Sequence, residues 1–223
     1  MTRELRAVLF DMDGTICDTE PSWMAAEFAM AERYGADWTP ADGLALVGND
    51  LLVSGAYIKS RMGLSQPVEA VVGELLAGVM TAMSHAGVAW RPGALELLEA
   101  CNDAGLPTAL VTMSYTNFAS TILDGMPRGH FDAVVTGDQV KRGKPAPDPY
   151  LQAAHLLGVD APSCIAIEDS PAGAASAEEA GCLVIVVPNH VPVSSAGRRL
   201  EVASLAELSV ADLRLLFEQD LPV

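Results

Sequence analysis

Short apolar runs with little polar alternation recur along the chain, and helical patterns fill the intervals between them. The first run is Ala7 to Phe10, and the later ones are Ala109 to Thr112, Ala133 to Thr136, Cys164 to Glu168 and Leu183 to Val187. Uninterrupted runs of this length are typical of strands that are covered on both faces, as in a parallel sheet. We therefore predict five parallel strands, with a weaker sixth strand near residues 200–203.

Amphipathic helices are predicted between these strands. Apolar residues recur at i, i+3, i+4 and i+7 from Ala94 to Cys101, which is the period of a helix with one buried face. Two further patterns, Pro149 to Leu157 and Pro171 to Ala180, are each followed by a glycine, the residue that commonly ends a helix. A short helix is predicted from Ala211 to Phe217. Strands that alternate with helices in this way predict a doubly wound α/β core.

The long interval between the first and second strands departs from this alternation. Residues 16–89 contain no convincing strand pattern and show helical apolar spacings instead. We interpret this block as a helical cap domain inserted into a core that is formed by residues 1–15 and 90–223. One predicted apolar face comprises Trp23, Met24, Phe28 and Ala31, and another comprises Val68, Val71, Val72, Leu75, Leu76 and Val79.

The chain is strongly acidic. Its 223 residues include 29 Asp and Glu against 13 Lys and Arg, which gives a net charge of −16. Such a charge repels nucleic acids and anionic membrane surfaces, so neither is an expected partner. Only three residues are lysines, and two of them, Lys141 and Lys144, occupy one short loop, which is where an anion is expected to bind.

Several features indicate a soluble protein of a reducing compartment. No apolar stretch approaches the roughly 18 residues of a membrane span, and the first residues lack the pattern of a secretory signal. Cys17, Cys101, Cys164 and Cys182 have no metal-type spacing and lie near apolar runs, so we predict buried free thiols. We expect a cytoplasmic protein that is a monomer or a weak dimer.

Polar residues suited to phosphate and metal chemistry stand where the predicted strands end. In open α/β sheets ligands bind beyond the carboxyl ends of the strands, so residues from different strands are expected to meet there. Burying several carboxylates together is costly unless a metal ion and a lysine compensate their charge, and the joint placement therefore favours a functional site. The clusters are Asp11-Met-Asp13-Gly14-Thr15, Thr112-Met-Ser114, Lys144 in its loop, and Glu168-Asp169-Ser170.

These four clusters, in this order, resemble the motifs of the haloacid dehalogenase superfamily, in its large phosphatase branch with a helical cap after the first strand. DMDGT resembles the first motif, Thr112 the second, Lys144 the third and the Glu168-Asp169 pair the fourth. The resemblance extends over essentially the whole chain and implies a Rossmann-like catalytic core with an inserted cap. It also implies a magnesium-dependent phosphatase that hydrolyses a small phosphorylated metabolite through an aspartyl-phosphate intermediate.

The resemblance implies a role for each matching residue. Asp11 corresponds to the nucleophile, and Asp13 to the general acid that protonates the leaving group and then activates water. Thr112 is expected to hydrogen-bond a phosphoryl oxygen, with Ser114 as a further substrate contact. Lys144 is expected to neutralise charge on the phosphate and on the nucleophile.

The resemblance also implies the ligands of a magnesium ion. They are Asp11, the backbone carbonyl of Asp13, and Asp169, with Glu168 acting directly or through water. Oxygen ligands of this kind, together with retained waters, suit Mg²⁺.

In a protein of this kind the cap supplies most of the substrate contacts. The candidates are Glu20, Trp23, Gly48, Asn49 and Lys59. Sugar phosphates, phosphoglycolate and nucleotide monophosphates all stay open as substrates. The second linker between core and cap carries a proline and a glycine at positions 92 and 93, which form either the hinge of a lid or simply the start of the next helix.

Four other functions fit this pattern of residues less well than a phosphatase does. A dehalogenase needs no proton for its halide leaving group, so Asp13 argues for phosphoryl transfer. A sugar phosphomutase like β-phosphoglucomutase typically carries a cap histidine where Trp23 aligns, which weakens that alternative without excluding it. A phospho-accepting receiver places its acidic pair before the phosphorylated aspartate, the reverse of the order here. A catalytically silent scaffold has no need of four intact motifs.

Overall fold

A parallel sheet forms the centre of the protein. The structure, a computed structural model, describes residues 4–194 and 197–219, except for the side chains of residues 85 and 86. The described residues form a six-stranded sheet with the order β3-β2-β1-β4-β5-β6 and only parallel pairs. This confirms the predicted α/β fold, including the weak sixth strand. The strands are β1 (Ala7–Phe10), β2 (Thr108–Val111), β3 (Ala133–Val135), β4 (Cys164–Glu168), β5 (Leu183–Val186) and β6 (Arg199–Glu201).

Both faces of the sheet are buried, which explains why the strands read as continuous apolar runs. Successive side chains of β1 point to opposite faces, so Leu9 belongs to one cluster of buried residues and Phe10 to another. The Leu9 face is covered by alanine-rich helices, and the opposite face by larger side chains. The helices of the core are α5 (Ala94–Asp103), α6 (Thr116–Asp124), α7 (Asp148–Leu156), α8 (Pro171–Glu179) and α9 (Val210–Gln219), each close to its predicted position where one was predicted.

Four helices lie within residues 16–89, where the sequence predicts helices alone. They are α1 (Glu20–Tyr34), α2 (Pro40–Leu44), α3 (Leu51–Arg61) and α4 (Val68–Ala86), and we call them the cap helices. Helices α3 and α4 approach closely at Gly55, where a Cβ atom would stand 2.6 Å from Val72 Cγ2. The predicted apolar face of α4 is buried from Val71 to Val79, although Val68 is only partly buried.

The predicted apolar face of α1 is partly wrong. Phe28 is 39% exposed and Met24 is half-buried. The helix is rotated so that its buried positions follow the 3.6-residue period more strictly, and this rotation places a carboxylate, Glu27, on the inner face. The buried residues are Trp23, Ala26, Glu27, Met30 and Ala31.

The two segments that join core and cap run side by side. The Asp18 amide donates to the Ala89 carbonyl at 2.8 Å, and the Arg91 amide donates to the Ile16 carbonyl at 2.9 Å. Gly93 directly precedes α5 with a φ of 80°, and a Cβ atom there would collide with the backbone of Ala206. Gly93 is therefore packed against the core, which favours the start of α5 over a hinge at this position.

Two simpler predictions can also be compared with the structure. All four cysteines are free and buried, as predicted. Within the described residues, none of the helices combines the length and the apolar character that crossing a bilayer requires.

Candidate active site

The carboxyl ends of the central strands bring the predicted motifs together. Asp11 follows β1, and its amide donates to the Ile167 carbonyl of β4 at 3.0 Å. Thr112 follows β2, and Glu168 is the last residue of β4. Because these strands are parallel neighbours, their ends lie at one edge of the sheet, where the order of connections reverses at β1.

Lys144 reaches this edge from the loop before α7 and is buried among acceptors. Its ammonium group donates to Asp11 Oδ1 at 2.6 Å, to Glu168 Oε1 at 2.6 Å and to the Val111 carbonyl at 2.9 Å. An ammonium group has three hydrogens, so every donor is used. Burial alone lowers the pKa of Lys144, but Asp11 and Glu168 outweigh that effect and raise the pKa above its usual value. Lys144 is thus held as a cation.

Tyr150 is a part of the site that the sequence analysis missed. It is fully buried on α7, and its hydroxyl donates to Glu168 Oε1 at 2.5 Å. Ser170 donates to Glu168 Oε2 at 3.2 Å and also accepts from the Gly173 amide as the N-cap of α8. Both oxygens of Glu168 are therefore oriented by neighbours. The sequence could have indicated this role, because Tyr150 lies shortly after the lysine loop and a buried phenol needs a hydrogen-bond partner.

Three buried carboxylates form a candidate metal site. Asp11, Glu168 and Asp169 each offer an oxygen, and these atoms lie within 4.8 Å of one another. Asp11 Oδ2 is buried without a hydrogen-bond partner among the described residues. Gly14 borders this group, since a Cβ atom there would collide with the Asp169 carboxylate.

The electrostatics of these carboxylates fit a divalent cation. Burial raises the pKa of Asp11 to about 8; Lys144 opposes the shift, and Glu168 and Asp13 add to it. Burial likewise raises the pKa of Asp169, with Asp11 and Glu168 adding to the effect. One lysine does not balance three buried carboxylates, so a further positive charge stabilises their ionised forms. An oxygen-only ligand set is the kind that Mg²⁺ prefers.

Asp13 lies beside this group, and four donors hold its carboxylate. Thr19 donates to Oδ1 at 2.5 Å and the Trp23 indole to Oδ1 at 3.3 Å. Thr112 and Ser114 donate to Oδ2 at 3.1 and 2.9 Å. Thr112 was predicted to contact a phosphoryl oxygen and Ser114 to contact the substrate; in this structure both hydroxyls donate to Asp13.

Thr19 is the second residue that the sequence analysis missed. It occupies the N-cap position of α1, yet its side chain makes no capping hydrogen bond. The hydroxyl donates to Asp13 instead, so a residue type that ordinarily marks a helix start here orients a carboxylate. The residue type alone suggests a helix cap. Only the position of Thr19, a few residues after the first motif, could have indicated a role in the site.

A pocket extends from these carboxylates to the cap helices. The predicted contacts Glu20, Trp23, Gly48 and Asn49 line it, together with Asp11, Asp13, Ser114 and Lys144 of the core. Gly48 approaches the core so closely that a Cβ atom would collide with the Ser170 hydroxyl.

Lys59 is not among the lining residues of this pocket, so the structure lends no support to its prediction as a substrate contact. Its ammonium group donates to the Gln66 carbonyl at 2.6 Å, within the cap helices. Lys59 lies in the last turn of α3, where a lysine readily bonds the carbonyls of the turn that follows.

Comparison with known proteins places this geometry in a family. A family model described as haloacid dehalogenase-like hydrolase matches residues 5–181. Hexitol phosphatase A of Escherichia coli (strain K12) is 34% identical over 193 residues, which cover 82% of each chain.

Solved structures agree with the fold. The β-phosphoglucomutase of Clostridium difficile has a TM-score of 0.84 at 22% identity, covering 96% of this chain and 98% of that chain, and this likeness concerns the fold alone. A variant of CbbY from Rhodobacter sphaeroides, solved in complex with xylulose-(1,5)bisphosphate, has a TM-score of 0.75 at 27% identity, covering 92% of this chain and 96% of that chain. The chain therefore belongs to the haloacid dehalogenase-like hydrolase family, as a phosphoric monoester hydrolase.

Proposed function

We propose that this protein is a magnesium-dependent phosphatase that hydrolyses a small phosphorylated, sugar-like metabolite through an aspartyl phosphate on Asp11. The observation that carries the proposal is the convergence of Asp11, Asp13 and Lys144 on one pocket that the cap helices line on the other side. A relative that is named as a hexitol phosphatase supports a polyhydroxylated substrate.

The residues divide the reaction into two displacements. The Asp11 carboxylate attacks phosphorus and forms the new O–P bond, while the bond to the leaving alkoxide breaks and Asp13 supplies the proton that the alkoxide needs. Asp13 then removes a proton from water, which attacks phosphorus and releases phosphate from Asp11. Lys144 stabilises the charge on the nucleophile and on the phosphoryl oxygens throughout.

A magnesium ion would bind the Asp11 oxygen that has no described hydrogen-bond partner. It would also balance the negative charge that Lys144 alone leaves on the three buried carboxylates. Asp11, Asp169 and the backbone carbonyl of Asp13 would hold it, with Glu168 acting directly or through water. When bound, it supplies positive charge for the equatorial phosphoryl oxygens. Thr112 and Ser114 donate to Asp13 in this structure. Each hydroxyl has a single hydrogen, so it would turn from Asp13 to donate to a phosphoryl oxygen.

Trp23 favours hydrolysis over the phosphomutase alternative. Its indole nitrogen donates to Asp13 Oδ1 at 3.3 Å, and an indole is a donor only. It therefore cannot exchange a proton with Asp13 as a histidine can.

We propose further that residues 16–89 form the cap domain and residues 1–15 and 90–223 the catalytic core. The protein is proposed to act in the cytoplasm on a small metabolite, as a monomer or weak dimer.

The test is phosphate release by the full chain from p-nitrophenyl phosphate and a panel of sugar phosphates, with Mg²⁺ or with EDTA. We expect turnover only with the metal. Asp11→Asn is nearly isosteric, so it should keep the fold and lower kcat on the order of 10³-fold or more, because the nucleophile is lost. Asp37→Asn, on an exposed cap residue, is the matched control and should turn over normally.

Two outcomes would count against the proposal. If Asp11→Asn kept most of its turnover, another group would be the nucleophile. If β-glucose 1-phosphate were isomerised faster than it is hydrolysed, the protein would be a mutase.

A further inference from the structure

The far wall of the pocket, which the cap helices supply, carries acids and no bases among the described residues. Glu20 and Glu27 line it at one face of α1, with Asn49 and Ser54 as neutral polar neighbours. Lys144 is the one Lys or Arg side chain among the described lining residues, and it lies at the core end.

The basic residues of the cap are engaged elsewhere. Residues 16–89 contain nine Asp and Glu but only three Lys and Arg. Arg33 pairs with Glu74 at 2.5 Å, and Arg61 pairs with Asp42 at 2.9 Å. Lys59 donates to a backbone carbonyl. None of the three lines the described pocket, so the cap presents no positive charge to the part of a substrate that lies away from the reacting phosphate.

Glu20 and Glu27 are placed to contact neutral polar groups of a substrate at two positions along the pocket. They are seven residues apart on α1, which corresponds to a rise of roughly 10 Å along the helix. The Glu20 carboxyl has no hydrogen-bond partner among the described residues. Glu27 accepts from the Trp38 indole at 3.2 Å through one oxygen, and its other oxygen has no described partner. These open positions match hydroxyl groups, which both donate and accept.

We infer that the cap wall selects a monophosphate whose remaining part is uncharged and rich in hydroxyl groups, because the wall offers Glu20 and Glu27 and no described cation to a second phosphate or a carboxylate. The inference rests on the proposed phosphatase function and narrows its substrate. It also separates this chain from the related CbbY, which was solved with a bisphosphate. Burial, followed by repulsion from Glu27, Asp13 and Asp18, raises the pKa of Glu20 to about 8, so near neutral pH this group can donate to a hydroxyl.

The test compares three substrates with the full chain and Mg²⁺: sorbitol 6-phosphate, glucose 1,6-bisphosphate and phosphoglycolate. We expect kcat/KM for sorbitol 6-phosphate to exceed both others by about tenfold or more, because the wall offers no described cation to a second anionic group and an unpaired charge in a pocket is strongly disfavoured. Glu20→Lys should raise the ratio of bisphosphate to monophosphate kcat/KM by about tenfold or more, because it places a cation on the wall. Glu20→Gln adds no cation and should leave the same ratio near that of the parent protein.

The matched control is Glu32→Gln, on the exposed side of the same helix, which should keep the ratio of the parent protein. A parent protein that turns over the bisphosphate or phosphoglycolate as well as sorbitol 6-phosphate would overturn the inference. So would a Glu20→Lys variant with the parent ratio. Failure of the proposed function is a different result, namely no turnover of p-nitrophenyl phosphate or of any other phosphate with Mg²⁺.

Discussion

At the scale of single residues, the candidate site consists of carboxylates whose roles differ because their partners differ. Asp11 has one oxygen bonded to Lys144 and the other without a described partner, whereas both oxygens of Asp13 accept from side chains. The Asp11 oxygen without a partner is therefore available to phosphorus or a metal ion. Asp13 is instead fixed in orientation, as a group that transfers protons must be.

Asp13→Asn should separate catalysis from metal binding. The amide cannot act as an acid or base, so kcat should fall on the order of 10²–10⁴-fold. Mg²⁺ should still raise the thermal unfolding temperature, because the expected metal ligand at this position is a backbone carbonyl. Asp169→Asn is the comparison and should lose both activity and Mg²⁺ stabilisation. Equal loss of both properties in Asp13→Asn would contradict this division of roles.

Glu27→Gln should change stability in a pH-dependent way. Burial raises the pKa of Glu27 from 4.5 to about 7, with the Trp38 hydrogen bond opposing and Asp42 adding to the shift. Between these values the folded state retains a proton that the unfolded state has lost, so the free energy of unfolding decreases as pH rises from 4.5 to 7. Glutamine stays neutral and can still accept from Trp38. The variant should therefore be more stable than the parent at pH 8, by roughly 2–3 kcal/mol, and much less so at about pH 5.

Urea unfolding at about pH 5 and about pH 8 measures this difference. Glu32→Gln, on the exposed side of α1, should show no such dependence on pH. A Glu27→Gln difference of the same size at both pH values would show that the stability effect is not the titration of this carboxyl group.

At the scale of elements, the loop between α2 and α3 brings the cap into contact with the residues of the candidate active site. Gly48 has a φ of 74°, and any Cβ atom at this position would collide with Ser170, which orients Glu168. The close approach needs a residue without a side chain, so a small change in the cap should disturb the core.

Gly48→Ala should therefore impair catalysis beyond its cost to folding. Gly63→Ala is a matched control, since Gly63 also lies in the cap with a φ of 66°, but a Cβ atom at that position would meet nothing within 4 Å. Gly63→Ala should lose roughly 1 kcal/mol of unfolding free energy, because alanine is strained at positive φ. Gly48→Ala should lose more, because its Cβ atom also collides with Ser170. Only Gly48→Ala should lower kcat/KM, by at least about tenfold, because it displaces Ser170 or holds the cap away. Equal kcat/KM in the two variants would remove Gly48 from this role.

At the scale of the whole molecule, the cap helices are tethered to the core by two adjacent segments. Asp18 bonds His190 at 2.8 Å, and Arg91 donates to Asn189 at 2.9 Å, so both segments are tied to the loop after β5. Since Gly93 is packed against the core, we expect any rotation of the cap to occur at the two joining segments, residues 16–18 and 89–91.

We predict that the cap closes as a lid when a phosphate mimic binds. Closure excludes bulk water and strengthens the electrostatic interactions at phosphorus, and such motions usually take microseconds to milliseconds. Crystals and solution scattering with and without beryllium fluoride plus Mg²⁺ should give different angles between cap and core. One unchanged angle in both states would mean that the cap is a fixed wall.

Much of the fold could be predicted, because the local pattern of apolar and polar residues indicates where the strands and helices lie. Strands buried on both faces left apolar runs such as Ala7–Phe10 and Cys164–Glu168, and the predicted bounds of these two strands match the structure. The absence of a strand pattern between residues 16 and 89 likewise predicted the position of the four cap helices. The prediction for α1 was less accurate, because tertiary packing, not apolarity alone, decides which side of a helix is buried, and Glu27 rather than Phe28 faces inward.

The chain alone determined which chemical groups stand at the strand ends, since Asp11, Thr112 and Glu168 follow or end recognisable strands. Only the tertiary structure decided how those groups pair. Thr112 is 99 residues from Asp13, which it contacts, and Lys144 is 133 residues from Asp11. Thr19 and Trp23 are only 6 and 10 residues from Asp13, but no local period reports these contacts either. Tertiary structure also decides the charge of the cap wall. The wall is acidic toward the pocket because the basic side chains of the cap bond elsewhere, namely Arg33, Lys59 and Arg61. These bonds form only once the helices are packed.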